Sequence, residues 1–205
     1  LFSAGDVAVG IAKVLTPRGR VSRRALPWRF GPHSLRAQWQ VGELSRLVCV
    51  GNDQDDRLER LWAAQGQSNV WLQVRVLGFD LATSLNFSIY LDEPRMEHLI
   101  NLKRTWLTVA RMQAIEALTP IPHLQWATLL DLERQLDYAQ AQGFHTLTMN
   151  LQMVKRQGWE AAAMGIPLIR EQSPELRFLF AGVVSWKRML ELARKAKLLD
   201  GYLEN

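Results

Sequence analysis

The segment FHTLTMNLQMVKRQGWEAAAMGIPLIREQSPELRFLFAGVV, residues 144–184, indicates the fold class because its hydrophobic pattern changes along its length. Residues 144–152 alternate polar and apolar side chains as a strand does, and residues 153–164 follow a helical pattern that Gly165 is expected to end. Residues 177–184 form an apolar run typical of a strand covered on both faces, and a second helical pattern follows. This alternation favours parallel strands covered by helices.

The middle of the chain predicts two long helices. Residues 94–118 and 124–142 each repeat apolar side chains close to every 3.6 positions, and Gly143 follows the second. The short sequence TPIPH, residues 119–123, separates them. Two helices joined by so short a connection predict a helical hairpin.

Strands and short helices are expected in the first 93 residues. Residues 39–50 end in an apolar run that predicts a strand, and residues 56–66 predict a helix. Residues 69–80 and 84–93 both alternate in polarity, which predicts a hairpin or two adjacent strands. A short helix is expected over residues 4–15.

These elements predict an α/β (or α+β) fold with a mixed sheet, a central helical hairpin and a C-terminal β-α-β-α alternation. The 205 residues fit one domain with an extension. We expect residues 1–38 to form a basic, irregular N-terminal extension and residues 39–205 to form a single α/β domain.

Charge is segregated along the chain. Residues 1–50 carry eight Lys and Arg against two acids, whereas residues 51–100 carry four against eight. Between Asp6 and Glu43 there is no acidic residue. Most of the excess positive charge therefore belongs to one segment, which indicates a polyanionic partner for that segment.

The segment RGRVSRRALPWRF, residues 18–30, combines arginines with aromatic residues. The guanidinium group binds phosphate oxygens in a planar fork, and an aromatic ring can stack on an unpaired base. The residues expected to bind nucleic acid are Arg18, Arg20, Arg23, Arg24, Trp28, Arg29, Phe30 and Arg36. Two other interpretations fit the same residues: a solvated loop paired with the acidic residues 53–59, or the remnant of a targeting peptide.

The acidic residues after the strand predicted at residues 39–50 suggest an alternative chemistry. Asp53 and Asp55 could hold a divalent cation in an enzyme that handles phosphate or nucleotides, because carboxylate oxygens are ligands for hard cations. Arg57 and Leu58 occupy positions at which an EF-hand loop needs an oxygen ligand and a glycine. The simpler interpretation is that these acids begin a helix.

No residue is expected to be catalytic, and no metal or cofactor is expected. The four histidines are far apart in sequence, and the chain contains no glycine-rich nucleotide-binding motif. The single Cys49 is expected to be a buried strand residue.

The favoured function is therefore that of a non-catalytic nucleic-acid-binding component of a nucleoprotein assembly. RNA or DNA and other protein subunits are the expected partners, in an intracellular compartment without membrane attachment. The alternatives are the metal-dependent enzyme at Asp53 and Asp55, and a structural subunit of a larger protein complex.

Overall fold

The computed structural model describes residues 6–29, 34–90, 92–151 and 156–182, together with Lys187, Leu190, Glu191 and Arg194. The chain divides into two compact units, Leu1–His123 and Leu124–Asn205. Each unit contains its own parallel sheet.

The first unit is built on a four-stranded parallel sheet in which the strands neighbour one another in chain order. The strands are β1 (Val7–Gly10), β2 (Leu47–Val50), β3 (Leu81–Thr83) and β4 (Thr119–Ile121). Because the strands are parallel, their carboxyl ends meet at one side of the sheet. We call the residues that directly follow β2, β3 and β4 the carboxyl edge: residues 51–53, 84–86 and 122–123.

Helical segments connect these strands. They are α1 (Ile11–Val14), a 3-10 helix (Leu26–Arg29), α2 (Leu35–Gln38), α3 (Asp55–Ala64), α4 (Val70–Val76) and α5 (Arg95–Gln113). Asp55 and Asp56 lie in the first turn of α3, where carboxylates interact favourably with the helix dipole. The helices predicted over residues 56–66 and 94–118 are confirmed as α3 and α5, although α5 ends five residues earlier than expected.

The second unit contains α6 (Leu129–Ala141), β5 (Thr146–Asn150), α7 (Arg156–Gln172) and β6 (Arg177–Ala181). The Thr128 side chain accepts a hydrogen bond from the backbone N–H of Asp131, whose carboxylate accepts one from the backbone N–H of Thr128. This reciprocal cap fixes the start of α6. The strands predicted from residues 144–184 are confirmed, and they pair in parallel.

The α/β class is confirmed, but the expected mixed sheet is wrong: both sheets in the described part of the chain are parallel. The hairpin or adjacent strands expected over residues 69–80 and 84–93 are not observed, since residues 84–90 form no strand. Residues 70–76 instead form α4, in which Val70, Trp71 and Val74 are buried. Their spacing fits one face of a helix, so Val70 and Val74, which also fit a strand pattern, pack on a buried helical face.

The predicted helical hairpin is also wrong, because β4 lies between α5 and α6. Residues 119–121 pair in parallel with β3 although Pro120 has no N–H to donate. β4 is the last strand of this four-stranded sheet, a position that tolerates proline. A three-residue strand is also too short to show an alternating pattern.

Two smaller expectations differ from the structure. The helix expected over residues 4–15 is replaced by β1 and α1. Gly165 does not end a helix, because α7 continues through it to Gln172. A Cβ atom at Gly165 would lie 2.6 Å from the Trp126 ring, so this glycine permits close packing. The helix predicted after residue 185 lies largely outside the described residues.

Candidate functional site

The predicted nucleic-acid-binding segment is folded over residues 15–29, which we call the basic loop. Leu15 and Val21 form an isolated antiparallel bridge. The backbone N–H of Thr16 donates to the carbonyl of Arg20 at 2.8 Å, and the N–H of Arg20 donates to Thr16 Oγ1 at 3.3 Å. Hydrogen bonds within the protein therefore define the backbone of this loop.

Four side chains of the basic loop are exposed guanidinium groups: Arg18, Arg20, Arg23 and Arg24. Within the described ranges, none of the four guanidinium groups has an ion pair or hydrogen bond. Residues 7–42 contain no acid, so no carboxylate nearby in sequence lowers the local potential. The loop therefore presents concentrated positive charge to solvent.

The acidic residues of α3 and the loop before it pair with other arginines. The ion pairs are Asp53 with Arg57, Asp56 with Arg60 at 2.8 Å, and Glu59 with Arg104 at 2.6 Å. The interpretation in which these acids neutralise the basic loop is therefore wrong for the part of the loop that the structure describes.

The aromatic residues of the predicted interface differ in how far they are described. Trp28 is half-buried, and its ring centroid lies 6.3 Å from that of Trp39 at an interplanar angle of 59°. Trp39 is 37% exposed. Phe30 and the side chain of Arg29 lie outside the described residues.

Arg36 stabilises the fold, unlike the four exposed arginines. Its guanidinium donates to the carbonyl of Ser45 at 2.8 Å and to that of Gly42 at 3.3 Å, and it forms an ion pair with Asp80. The same Asp80 oxygen accepts the backbone N–H of Leu47 at 2.9 Å. We therefore leave Arg36 out of the proposed interface.

A cleft of about 470 Å³ lies beside the basic loop. We call it the amide cleft, and it is lined by Gly19, Arg20, Val21, Leu26, Gln67, Ser68, Asn69 and Gln73. One lining side chain is cationic, three carry amides and none is acidic. The cleft is therefore suited to an anionic or hydrogen-bonding ligand.

The carboxylates suggested for a metal site are both engaged. Asp53 is paired with Arg57, as described above. Asp55 accepts hydrogen bonds from Ser88 Oγ at 2.8 Å and from the Tyr90 hydroxyl at 2.5 Å, and the latter bond raises the pKa of Tyr90. Within the described ranges, no group of three or more His, Cys, Asp or Glu side chains is arranged to hold a metal ion.

Sequence reasoning missed a polar network at the carboxyl edge. Thr83 Oγ1 accepts the backbone N–H of Gly51 at 2.7 Å, and Ser84 Oγ accepts that of His123 at 2.8 Å. Ser84 Oγ also lies 3.2 Å from His123 Nδ1. These bonds connect the ends of β2, β3 and β4. Polar residues after strands were the available signal, but two of these strands were not predicted.

Three buried atoms of the carboxyl edge have no hydrogen-bond partner among the described residues: His123 Nε2, Asn52 Oδ1 and Asp53 Oδ2. Of these, Asp53 Oδ2 is in the ion pair with Arg57. His123 is 1% exposed, and burial lowers its pKa to about 3. The imidazole is therefore neutral at physiological pH. If the Ser84 hydroxyl donates to Nδ1, the ring proton resides on Nε2, which becomes an unsatisfied donor.

No helix of the described residues is long and apolar enough to cross a membrane. No protein-family model matches the chain, and a search of curated proteins finds no significant relative.

Proposed function

We propose that this chain is a non-catalytic, nucleic-acid-binding component of a nucleoprotein assembly and that the basic loop contacts the phosphate backbone. The observation that carries the proposal is that Arg18, Arg20, Arg23 and Arg24 are exposed and have no partner among the described residues. An arginine satisfied within the fold, such as Arg36, would first have to lose its protein contacts to bind a phosphate.

Two physical arguments support this proposal. Each arginine that neutralises a phosphate releases counterions, which favours binding without requiring a particular base sequence. The backbone of the basic loop is already hydrogen-bonded, so binding orders side chains rather than a whole segment. The proposed interface also includes three residues whose planar side chains can stack on unpaired bases: Trp28, Arg29 and Phe30.

Other protein subunits remain proposed partners. The outer side chains of α5 include Met96, Leu99, Ile100 and Leu107, which are 64%, 40%, 37% and 44% exposed. Neighbouring exposed apolar side chains favour contact with another protein over permanent exposure to water. They support membership of an assembly without identifying the subunit.

The first experiment is fluorescence-anisotropy binding to random single-stranded RNA, single-stranded DNA and duplex DNA at about 50 and 200 mM salt. A variant with R18A, R23A and R24A is compared with a matched variant carrying K103A, R134A and R177A. All six side chains are exposed, so both variants lose three surface cations. We expect the basic-loop variant alone to lose most of the affinity and of its salt dependence. Equal losses in both variants, or no binding by the unmodified protein, would contradict the proposal.

A second candidate function is binding of a small ligand at the carboxyl edge, and the observation that favours it is the unpartnered His123 Nε2. Parallel α/β sheets commonly bind ligands at this edge. A neutral imidazole suits an uncharged carbonyl oxygen better than an anion, because a buried anion needs a compensating charge.

A metal-dependent enzyme at Asp53 and Asp55 is a weaker alternative, because a cation would have to displace the contacts that both carboxylates already make.

The second candidate is tested by nitrogen-15 NMR of the His123 ring during titration with acetamide and urea as uncharged carbonyl probes. Binding at Nε2 should shift that nitrogen while leaving the exposed His145 unchanged. Unchanged His123 signals in a folded sample would count against a carbonyl-binding site.

A further inference from the structure

The walls of the amide cleft are held together before any ligand binds. Gly19 has a φ angle of +68°, and a Cβ atom there would lie 2.5 Å from both Ser68 Oγ and Val70 Cγ2. Ser68 Oγ also lies 3.1 Å from the carbonyl oxygen of Arg18, although the shorter bond of this hydroxyl, at 2.9 Å, is donated to the carbonyl of Ala64. The basic loop therefore contacts the segment before α4 closely, and glycine is what permits that approach.

Three exposed side chains of the cleft, one cationic and two with amides, have no partner among the described residues. Arg20 is an exposed cation, and the side chains of Gln67 and Asn69 are exposed amides with no partner among the described residues. Asn69 precedes α4, yet its side chain makes no capping hydrogen bond. Leu26, which is 46% exposed, adds an apolar surface. The cleft thus combines one cation, two available amides and an apolar wall.

These groups match the parts of a nucleotide. A guanidinium binds phosphate, amides form paired hydrogen bonds with base edges, and an apolar side chain contacts the face of a base. The volume of about 470 Å³ lies within the range of about 300–1,000 Å³ usual for small-molecule sites. A free phosphate would leave the amides and the apolar wall unused.

We infer that the amide cleft holds one nucleotide of the bound nucleic acid, with its phosphate on Arg20 and its base against Gln67, Asn69 and Leu26. This inference rests on the proposed function, because the other arginines of the basic loop would hold the adjoining phosphates. The rest of the proposed interface contacts phosphates or stacks on bases of any kind, whereas the cleft adds hydrogen bonds that distinguish one base from another.

The test uses a variant with Q67A and N69A, and a matched control with Q54A and Q113A. The control removes two exposed amides that do not line the cleft. Binding of labelled homopolymeric DNA and RNA is measured over a range of salt concentrations, and folding is monitored by circular dichroism. We expect about tenfold weaker binding of the preferred homopolymer by the cleft variant, with an unchanged salt slope because no charge is removed. The preference among homopolymers should also decrease.

The outcomes separate this inference from the proposed function. If the unmodified protein binds nucleic acid with strong salt dependence but both amide variants bind as it does, the cleft assignment is wrong and the backbone interface stands. If the unmodified protein does not bind at all, the proposed function itself fails, and the inference fails with it. A cleft variant that loses salt dependence would also overturn the assignment, since neutral amides should not change it.

Discussion

Ser84 and His123 join the carboxyl ends of β3 and β4 through two contacts between the same pair of residues. The backbone N–H of His123 donates to Ser84 Oγ at 2.8 Å, and this oxygen lies 3.2 Å from His123 Nδ1. Both residues are almost completely buried. The serine therefore satisfies a backbone group and contacts an imidazole where water cannot replace it.

Replacing Ser84 with alanine should destabilise the protein by about 1–3 kcal/mol, because a buried backbone N–H and a ring nitrogen lose their partner. The free energy of unfolding from urea denaturation measures the effect. T119A, at an exposed position in β4, serves as the control and should change stability by less than about 0.5 kcal/mol. A similar small change for S84A would show that the pair contributes little.

The buried His123 should make stability depend on pH. Its pKa is about 3 in the folded protein, against 6.5 ordinarily, so between these values only the unfolded chain binds the proton. The stabilising contribution is present in full above pH 6.5 and is lost as the pH falls toward 3. Between pH 7 and 5 the loss should reach about 2 kcal/mol.

The measurement compares urea unfolding at pH 7 and pH 5 for the unmodified protein and H123Q. Glutamine keeps a polar side chain of similar length but does not titrate. We expect H123Q to be less stable at pH 7 and to lose less stability on acidification. Parallel pH profiles for the two proteins would be inconsistent with a neutral, buried His123.

The elements that sequence reasoning located correctly are those whose pattern is long or carries clear boundaries. α5 repeats its apolar positions over 19 residues. α3 begins with two acidic residues shortly after the apolar run of β2 ends. β5 and β6 are each five residues long and follow clear breaks. In these cases local pattern and tertiary structure agree, so the pattern alone predicts the element.

The carboxyl edge could not be predicted, because it depends on pairing between short strands. β3 and β4 each have three residues, and Pro120 makes β4 resemble a turn. Without those strands His123 is one isolated histidine, and nothing places it beside Ser84. The exposed arginines were predictable from composition, but distinguishing Arg36 from them required the position of Asp80.

Gly51 should tolerate no side chain. A Cβ atom there would lie 2.3 Å from the carbonyl oxygen of Ser84 and 2.9 Å from that of Thr83, which are backbone atoms of the neighbouring strand and its end. We expect G51A to unfold the protein or to destabilise it by more than about 3 kcal/mol. G66A is the matched control, because no atom lies within 4 Å of its Cβ position. Thermal unfolding by circular dichroism compares them, and equal melting temperatures would contradict the close approach at Gly51.

Cys49 should be chemically inert in the native protein. It has no exposed surface in β2, and burial raises the pKa of its thiol, so the reactive thiolate is scarce. Ellman's reagent should react with the thiol in urea but not in native buffer at neutral pH. Rapid native labelling, at a rate similar to that in urea, would show that β2 opens readily.

Arg23 and Arg36 both lie in residues 7–42, which contain no acid. We expect replacement of Arg36 to reduce stability and replacement of Arg23 to reduce nucleic-acid binding. R36A removes an ion pair with Asp80 and two bonds to carbonyls, and it should reduce stability by about 1–2 kcal/mol after allowance for partial exposure. R23A removes an exposed side chain without a described partner and should change stability by less than about 0.5 kcal/mol.

For nucleic-acid binding we expect the larger effect from Arg23. R23A should reduce the salt slope by about 0.9, whereas R36A should preserve it. Urea unfolding and salt-dependent anisotropy on both variants measure the two effects. If R36A reduced the slope as much as R23A while remaining folded, its contacts would not prevent phosphate binding, and the interface would have to include it.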